Sequence, residues 1–340
     1  MSIDPAQTRL LGRSPVAVSR LGIGTGPYGN LMTAARDDAL HATTQAALGA
    51  GLGYFDTSPF YGHGLSEHRL GETLRGVDRD RYVLSTKVGR LLKPRPRGRG
   101  DDGLFAAPLP FDVVYDYSFD GTLRSLEDSI QRLGVARIDI ALIHDVNRRW
   151  QGDLIEQRYA EAMAGAFPAL ARLRSEGVIG AIGVGVNDVD ILRRFAADGD
   201  FDCFMLAGRY TLLDATALDL LLPECVRRGI AILLAAPYNS GILATGAKPG
   251  ATFWYTEAPP EIMARVARIE AIGRRHHVPL TAAALQFPLG HPAVASVVAG
   301  FRSPPEVAAA LAALRHPIPA AFWQDLRQDG LIPADAPLPA

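Results

Sequence analysis

Eight short apolar runs, most of them followed by a longer amphipathic or Ala/Leu-rich stretch, recur along this chain of 340 residues. The runs are RLGIG (20–24), GYFD (53–56), YVLSTK (82–87), IDIALIH (138–144), IGAIGVG (179–185), FDCFML (201–206), IAILLAA (230–236) and VASVVAG (294–300). Helical patterns between them include 36–51, 118–134, 159–177 and 261–277. Asp37 and Asp38 near one helix start, and Gly51, Gly134 and Gly177 after three helix ends, are the expected punctuation. Repeated strand–helix units read as βαβ crossovers, and the unbroken apolarity of IAILLAA marks a strand covered on both faces. Eight units on this length suit a closed (β/α)8 TIM barrel, one domain spanning 1–340. An open doubly wound sheet would carry G-x-G-x-x-G after its first strand, and GIGTGPYGN spaces its glycines differently. Residues 9–20 are expected as a hairpin closing the barrel bottom, and 320–333 as an added C-terminal helix.

Three connections, 88–117, 145–158 and 237–258, are too long for plain barrel turns. All follow the C-terminal end of a strand, where such barrels build their sites. The first holds Lys93, Arg95, Arg97 and Arg99 in close order. A solvated loop and a lid that attracts an anion are both open readings. The net charge of −1 favours neither nucleic acid nor an anionic membrane surface as partner. No signal-peptide core or membrane-length apolar run is present, and Cys203 and Cys225 sit in apolar settings. A soluble cytoplasmic protein acting on a small molecule, without a metal site, is the expectation. Oligomeric state is left open.

Four polar residues interrupt this apolar scheme at strand ends. Asp56 ends the second run, Lys87 the third and His144 the fourth, while Tyr61 lies on the turn after Asp56. Ends of adjacent parallel strands are neighbours about 5 Å apart, so the four groups converge on one mouth. Each alone has an ordinary structural explanation; their joint arrival points to chemistry. A free tyrosine titrates near ~10, and a neighbouring ammonium is expected to lower that by roughly 1–3 units. Asp56 would keep Lys87 charged, and His144 would offer a neutral hydrogen bond. Such a relay suits carbonyl–alcohol interconversion.

GYFDTSPFYG, YVLSTKVG and IDIALIHD resemble the signature regions of the aldo-keto reductases, and the likeness runs over nearly the whole chain. The resemblance implies that Tyr61 is the general acid/base, Lys87 tunes it, Asp56 holds Lys87 and His144 orients the reacting oxygen. It also implies NAD or NADP binding across the barrel mouth. Matching cofactor positions are Gly24, Thr25, Asn187, Ser240, Gly241, Leu243, Gly300, Arg302 and Glu306. Arg302 suits a 2′-phosphate and Glu306 opposes one, which leaves the dinucleotide open.

Four positions depart from the family pattern. Ala207 stands for a glutamine that holds the nicotinamide amide, Ala235 for a stacking aromatic with Tyr238 nearby, and Ala309–Ala310 for an adenine-binding pair. FMLAGRYTLLD and AAPYNSGILATG resemble the L-fucose (D-threo-aldose 1-) dehydrogenase branch, to which pyridoxal 4-dehydrogenases and L-galactose dehydrogenases are related. That likeness implies oxidation of an aldose C1 to a lactone. Tyr28 and Arg209 are candidate pocket residues or structural ones; Trp150 and Trp254 either stack on a sugar or anchor their loops. The alternatives are an NADPH-dependent reductase of aldehydes or ketones, a nucleotide-binding regulatory subunit without catalysis, and a lyase using Lys87 as a Schiff base.

Overall fold

The computed structural model describes residues 3–96 and 103–339. Eight parallel strands close into a barrel. They are β1 (Leu21–Gly24), β2 (Tyr54–Asp56), β3 (Val83–Val88), β4 (Ile140–His144), β5 (Ala181–Val186), β6 (Cys203–Ala207), β7 (Ala231–Ala235) and β8 (Val294–Gly300). Each coincides with one of the eight apolar runs. Pairing of β8 with β1, from Val297↔Leu21 to Gly300↔Gly24, completes the ring. The longer helices outside it are α1 (Asp37–Gly49), α2 (Leu65–Leu74), α3 (Phe119–Leu133), α4 (Ile155–Glu161), α5 (Phe167–Ser175), α6 (Val189–Asp198), α7 (Leu221–Arg228), α8 (Pro260–His276), α9 (Leu280–Leu289), α10 (Pro304–Arg315) and α11 (Ala320–Gln328).

The helix expected over 159–177 forms, with one irregularity. A π-helical turn, Ala162–Ala166, joins α4 to α5. Pro168, in the first turn of α5, has no N–H to give to the preceding turn, so the ladder widens there.

Strand side chains alternate between the barrel interior and the helical layer. Ile140 and Leu142 join Tyr54, Met205 and Leu233 in an inner cluster, while Ala141 and Ile143 join Phe55 and Leu84 in the outer one. Asp56 is two residues from Tyr54 and His144 two from Leu142, so both share the inward parity. The antiparallel hairpin of Thr8–Leu10 and Ala17–Ser19 sends Leu11 and Val18 into the inner cluster, plugging the barrel as expected. Of the long connections, the first folds into a hairpin, Arg90–Pro94 with Phe111–Tyr115. The third holds a two-residue ladder, Thr252–Phe253 with Thr256–Glu257. Arg97 and Arg99 of the basic stretch lie outside the described residues. Among those described, no helix is long and apolar enough to cross a membrane.

Leu11 is fully buried. Leu11→Ala is expected to destabilise the fold by about 2–5 kcal/mol, read as a lowered urea midpoint, with KM unchanged because the plug is remote from the mouth.

Candidate active site

Asp56, Ser85 and Lys87 meet because β2 and β3 pair with Asp56 opposite Ser85, and inward parity then brings Lys87 to the same side. Lys87 Nζ donates to Asp56 Oδ2 at 2.7 Å and to the Thr57 carbonyl at 2.9 Å. Ser85 Oγ donates to Asp56 Oδ1 at 2.6 Å. The lysine and aspartate side chains are only 2% and 3% exposed, so neither charge has much water to solvate it. Burial works against the Lys87 charge, but Asp56 and Tyr61 outweigh it and hold the ammonium above its ordinary value.

Tyr61 reaches this pair from the turn after β2. Its ring centroid is 4.8 Å from Lys87 Nζ and 6.1 Å from the His144 ring. Backbone contact holds the turn in place. A Cβ on Gly29 would lie 2.4 Å from the Tyr61 carbonyl carbon, so only glycine lets the β1–α1 connection press this close. The expected downward shift of the phenol is not the net result. Burial pushes Tyr61 up to about 12, although Lys87 pulls it down by charge and hydrogen bonding. Loss of hydration outweighs the single cation.

His144 is anchored by a residue the sequence reading did not single out. Arg90, at the start of the first hairpin, is 2% exposed. Its NH1 lies 2.7 Å from His144 Nδ1. A guanidinium can only donate, so Nδ1 is the acceptor and the proton resides on Nε2. Burial, Arg90 and Lys87 hold His144 well below its ordinary range. The imidazole is therefore a neutral N–H donor. Arg90 NH2 pairs with Asp145 Oδ2 at 2.9 Å, and its guanidinium lies 4.1 Å from the Phe60 ring centroid.

A cavity of about 170 Å³ opens over these groups, lined by Tyr61, Lys87, His144, Asp145, Trp150 and Trp254 among others. The first long connection contributes Leu104 and Phe105 to it, not Lys93 or Arg95. Both tryptophans line it, and Trp150 packs edge-on to Phe60 at 5.3 Å. Arg209 lies in an adjoining cleft, its guanidinium 4.4 Å from the Trp254 ring centroid and held by Asp214 and the Asn187 carbonyl. Tyr28 is a correction. It is fully buried in the core with its hydroxyl 2.9 Å from Thr44 Oγ1, and it does not line the cavity.

Among the expected cofactor positions, Asn187 and Ser240 line the cavity, as do Ala207 and Ala235. Thr25 is fully buried, with its hydroxyl and N–H both on the Asp56 carbonyl at 2.9 Å. Leu243 is buried in the core, and Tyr238 packs against that core without lining the cavity. Gly24 and Gly300 pair across β1 and β8. Gly241 closes the turn before the short helix Ile242–Thr245. Arg302 and Glu306 lie at the α10 N-terminus, Glu306 accepting the Arg302 N–H at 2.7 Å.

Residues 20–328 match the aldo/keto reductase family. This chain belongs to that family. It is 43% identical to D-threo-aldose 1-dehydrogenase of a Pseudomonas species, over 94% of this chain and 96% of that one. It is 41% identical to pyridoxal 4-dehydrogenase of Microbacterium luteolum, over 98% and 100%. L-galactose dehydrogenase of Arabidopsis thaliana is 29% identical over 91% and 88%. The fold is shared with the aldo-keto reductase AKR11C1 of Bacillus halodurans in its holo form, with a TM-score of 0.73, 24% identity and 97% coverage of both chains.

In this aldo-keto reductase the structure brings Asp56, Tyr61, Lys87 and His144 together at one mouth and adds Arg90 and Asp145. The sequence does hold a signal for the additions: an arginine three positions after Lys87, before two leucines, and an acid directly after His144. What it does not contain is their pairing, which depends on the hairpin folding back over β4.

Removing Arg90 takes away a cation that opposes protonation of His144 and leaves Asp145 without its partner. Arg90→Met is therefore expected to raise the His144 pKa, so that activity falls more steeply toward acid pH in the variant than in the parent enzyme. Loss of half a buried ion pair should also cost about 3–5 kcal/mol of stability. A kcat/KM profile from pH 5 to 8 and a thermal melt check both.

Proposed function

We propose that this enzyme oxidises the anomeric carbon of an aldose such as L-fucose, giving the lactone, with a nicotinamide dinucleotide as oxidant. The observation that carries the reading is the neutral His144, held by Arg90 with its Nε2–H free for an oxygen, next to the Tyr61–Lys87–Asp56 chain. Tyr61, as phenolate, would take the anomeric hydroxyl proton, and Lys87 would stabilise the phenolate. His144 would donate to the same oxygen and orient it. The likeness to D-threo-aldose 1-dehydrogenase supports the substrate class. The buried free thiols of Cys203 and Cys225 support a reducing compartment such as the cytoplasm.

The residues present fit a nicotinamide. Asn239 lines the cavity, yet among the described residues its buried Oδ1 has no hydrogen-bond partner, so it offers an acceptor to a carboxamide. Asn187 accepts from Asn147 through Oδ1 at 3.1 Å, leaving its NH2 to donate. Ala207, Gly208, Ala235 and Ala236 leave the cavity wall between them low enough for a planar ring. When bound, the dinucleotide supplies the hydride acceptor. NAD⁺ is the preferred form in our reading. The Glu306 carboxylate already occupies the positive end of α10 that a 2′-phosphate would use, and the Arg302 guanidinium is engaged by Thr33 and the Leu31 carbonyl.

A second reading has its own support. A phenol raised to about 12 stays protonated near neutrality, which suits proton donation during reduction of an aldehyde or ketone by NADPH. The two directions have opposite pH signatures. Oxidation needs the phenolate, whose fraction rises tenfold per pH unit below the pKa, whereas reduction uses the phenol and stays level over the same range.

Nicotinamide absorbance with L-fucose, L-galactose, D-arabinose and pyridoxal, from pH 7 to 10, tests the proposal. Sugar-dependent reduction of NAD⁺ that climbs with pH and is abolished in Tyr61→Phe is expected. Silence toward every sugar, with NADPH consumed by simple aldehydes, would establish the second reading instead. Glu306→Gln should raise the kcat/KM ratio of NADP⁺ to NAD⁺ by roughly 2–5-fold; an unchanged ratio would remove Glu306 as the source of the preference.

A further inference from the structure

Asp145 sits at the mouth directly after His144, with its backbone in the left-handed region at φ 52°. Aspartate enters that region more readily than most non-glycine residues, but the conformation is still uncommon and recurs at functional sites. Its carboxylate lines the cavity beside His144 and Trp150 and is 13% exposed. Oδ2 receives Arg90 at 2.9 Å and lies 3.4 Å from His144 Nε2. Among the described residues, Oδ1 receives no hydrogen bond.

We propose that Asp145 is a specificity-determining residue that accepts a hydrogen bond from a hydroxyl on the carbon next to the reacting one. This rests on the placement of the reacting oxygen at His144 put forward above. An ionised carboxylate can only accept, so the group it meets must be a donor. The anomeric carbon of a pyranose has two neighbours in the ring. One is the ring oxygen, which only accepts; the other is C2, whose hydroxyl donates. Oxygens on adjacent carbons lie about a hydrogen-bond length apart, within half an ångström or so of the 3.4 Å between Nε2 and Oδ2, so one sugar edge reaches both groups. An oxygen held by His144 therefore brings its vicinal hydroxyl to Asp145. Arg90 serves as positioning residue for both protein groups. Mere neutralisation of Arg90 would need neither the left-handed backbone nor a carboxylate facing the cavity.

The test compares kcat/KM for L-fucose and 2-deoxy-L-fucose in the parent enzyme, Asp145→Ala and Asp145→Asn. A ratio taken within one variant cancels any general damage to the Arg90–His144 pair. A hydrogen bond to a charged acceptor predicts a preference of roughly 10–100-fold for the hydroxylated sugar in the parent enzyme. That preference should collapse to within about threefold in Asp145→Ala and be intermediate in Asp145→Asn, which keeps an acceptor but not the charge. Equal ratios in all three proteins would overturn the proposal. If the parent enzyme oxidises neither sugar, the aldose reading fails by itself. The ratio of lactaldehyde to propanal reduction then decides the role of Asp145 by the same criterion, since only lactaldehyde carries a hydroxyl beside its carbonyl.

Discussion

The buried ammonium of Lys87 is the constraint around which the barrel mouth is organised. With about 2% of the side chain exposed, its charge persists only because Asp56, the Thr57 carbonyl and the neighbouring phenol stand within reach. Asp56 in turn draws on Ser85 and, through its carbonyl, on Thr25. The strand register that brings Asp56 opposite Ser85 is thus also what solvates the lysine. Tyr61 inherits this arrangement. It meets a fixed cation, but in a place so poor in water that the cation does not restore the phenol to its ordinary acidity.

A second charged group lies behind the first. Arg90 is as buried as Lys87 and does for His144 what Asp56 does for the lysine: it settles a protonation state by geometry. The two cations have different work because their partners differ. Lys87 faces a carboxylate and a phenol, so it stabilises negative charge. Arg90 faces an imidazole nitrogen and a carboxylate, so it excludes a positive charge from the ring while keeping Asp145 in place. Phe60, packed against the guanidinium at 4.1 Å, screens this network from water and strengthens each contact within it.

Much of this was legible from residue order. The eight apolar runs, their closure into a barrel and the inward hairpin follow from periodicity, since strands buried on both faces must be apolar and parallel strands need crossovers. Asp56, Tyr61, Lys87 and His144 stood out because polar residues at the ends of such strands need a reason to be there. What the residue order did not show has a different character. Tyr28 follows a strand end as the site residues do, yet its ring turns into the core toward Thr44, a choice made by packing. The helix over 159–177 formed as its composition predicts, and only the π turn opened by a proline's missing N–H went unseen.

Sequence alone determined the strand parity, and with it which side chains could reach the interior of a closed barrel. Parity is a property of the backbone pleat, so it needs no knowledge of distant partners. Only the tertiary structure decided how the inward groups are charged. The proton on His144 depends on Arg90, 54 positions away along the chain, and the acidity of Tyr61 depends on how much water the folded mouth excludes. Both are set by burial and by contacts across the chain, and hydration cannot be read from a residue's own letter or its neighbours.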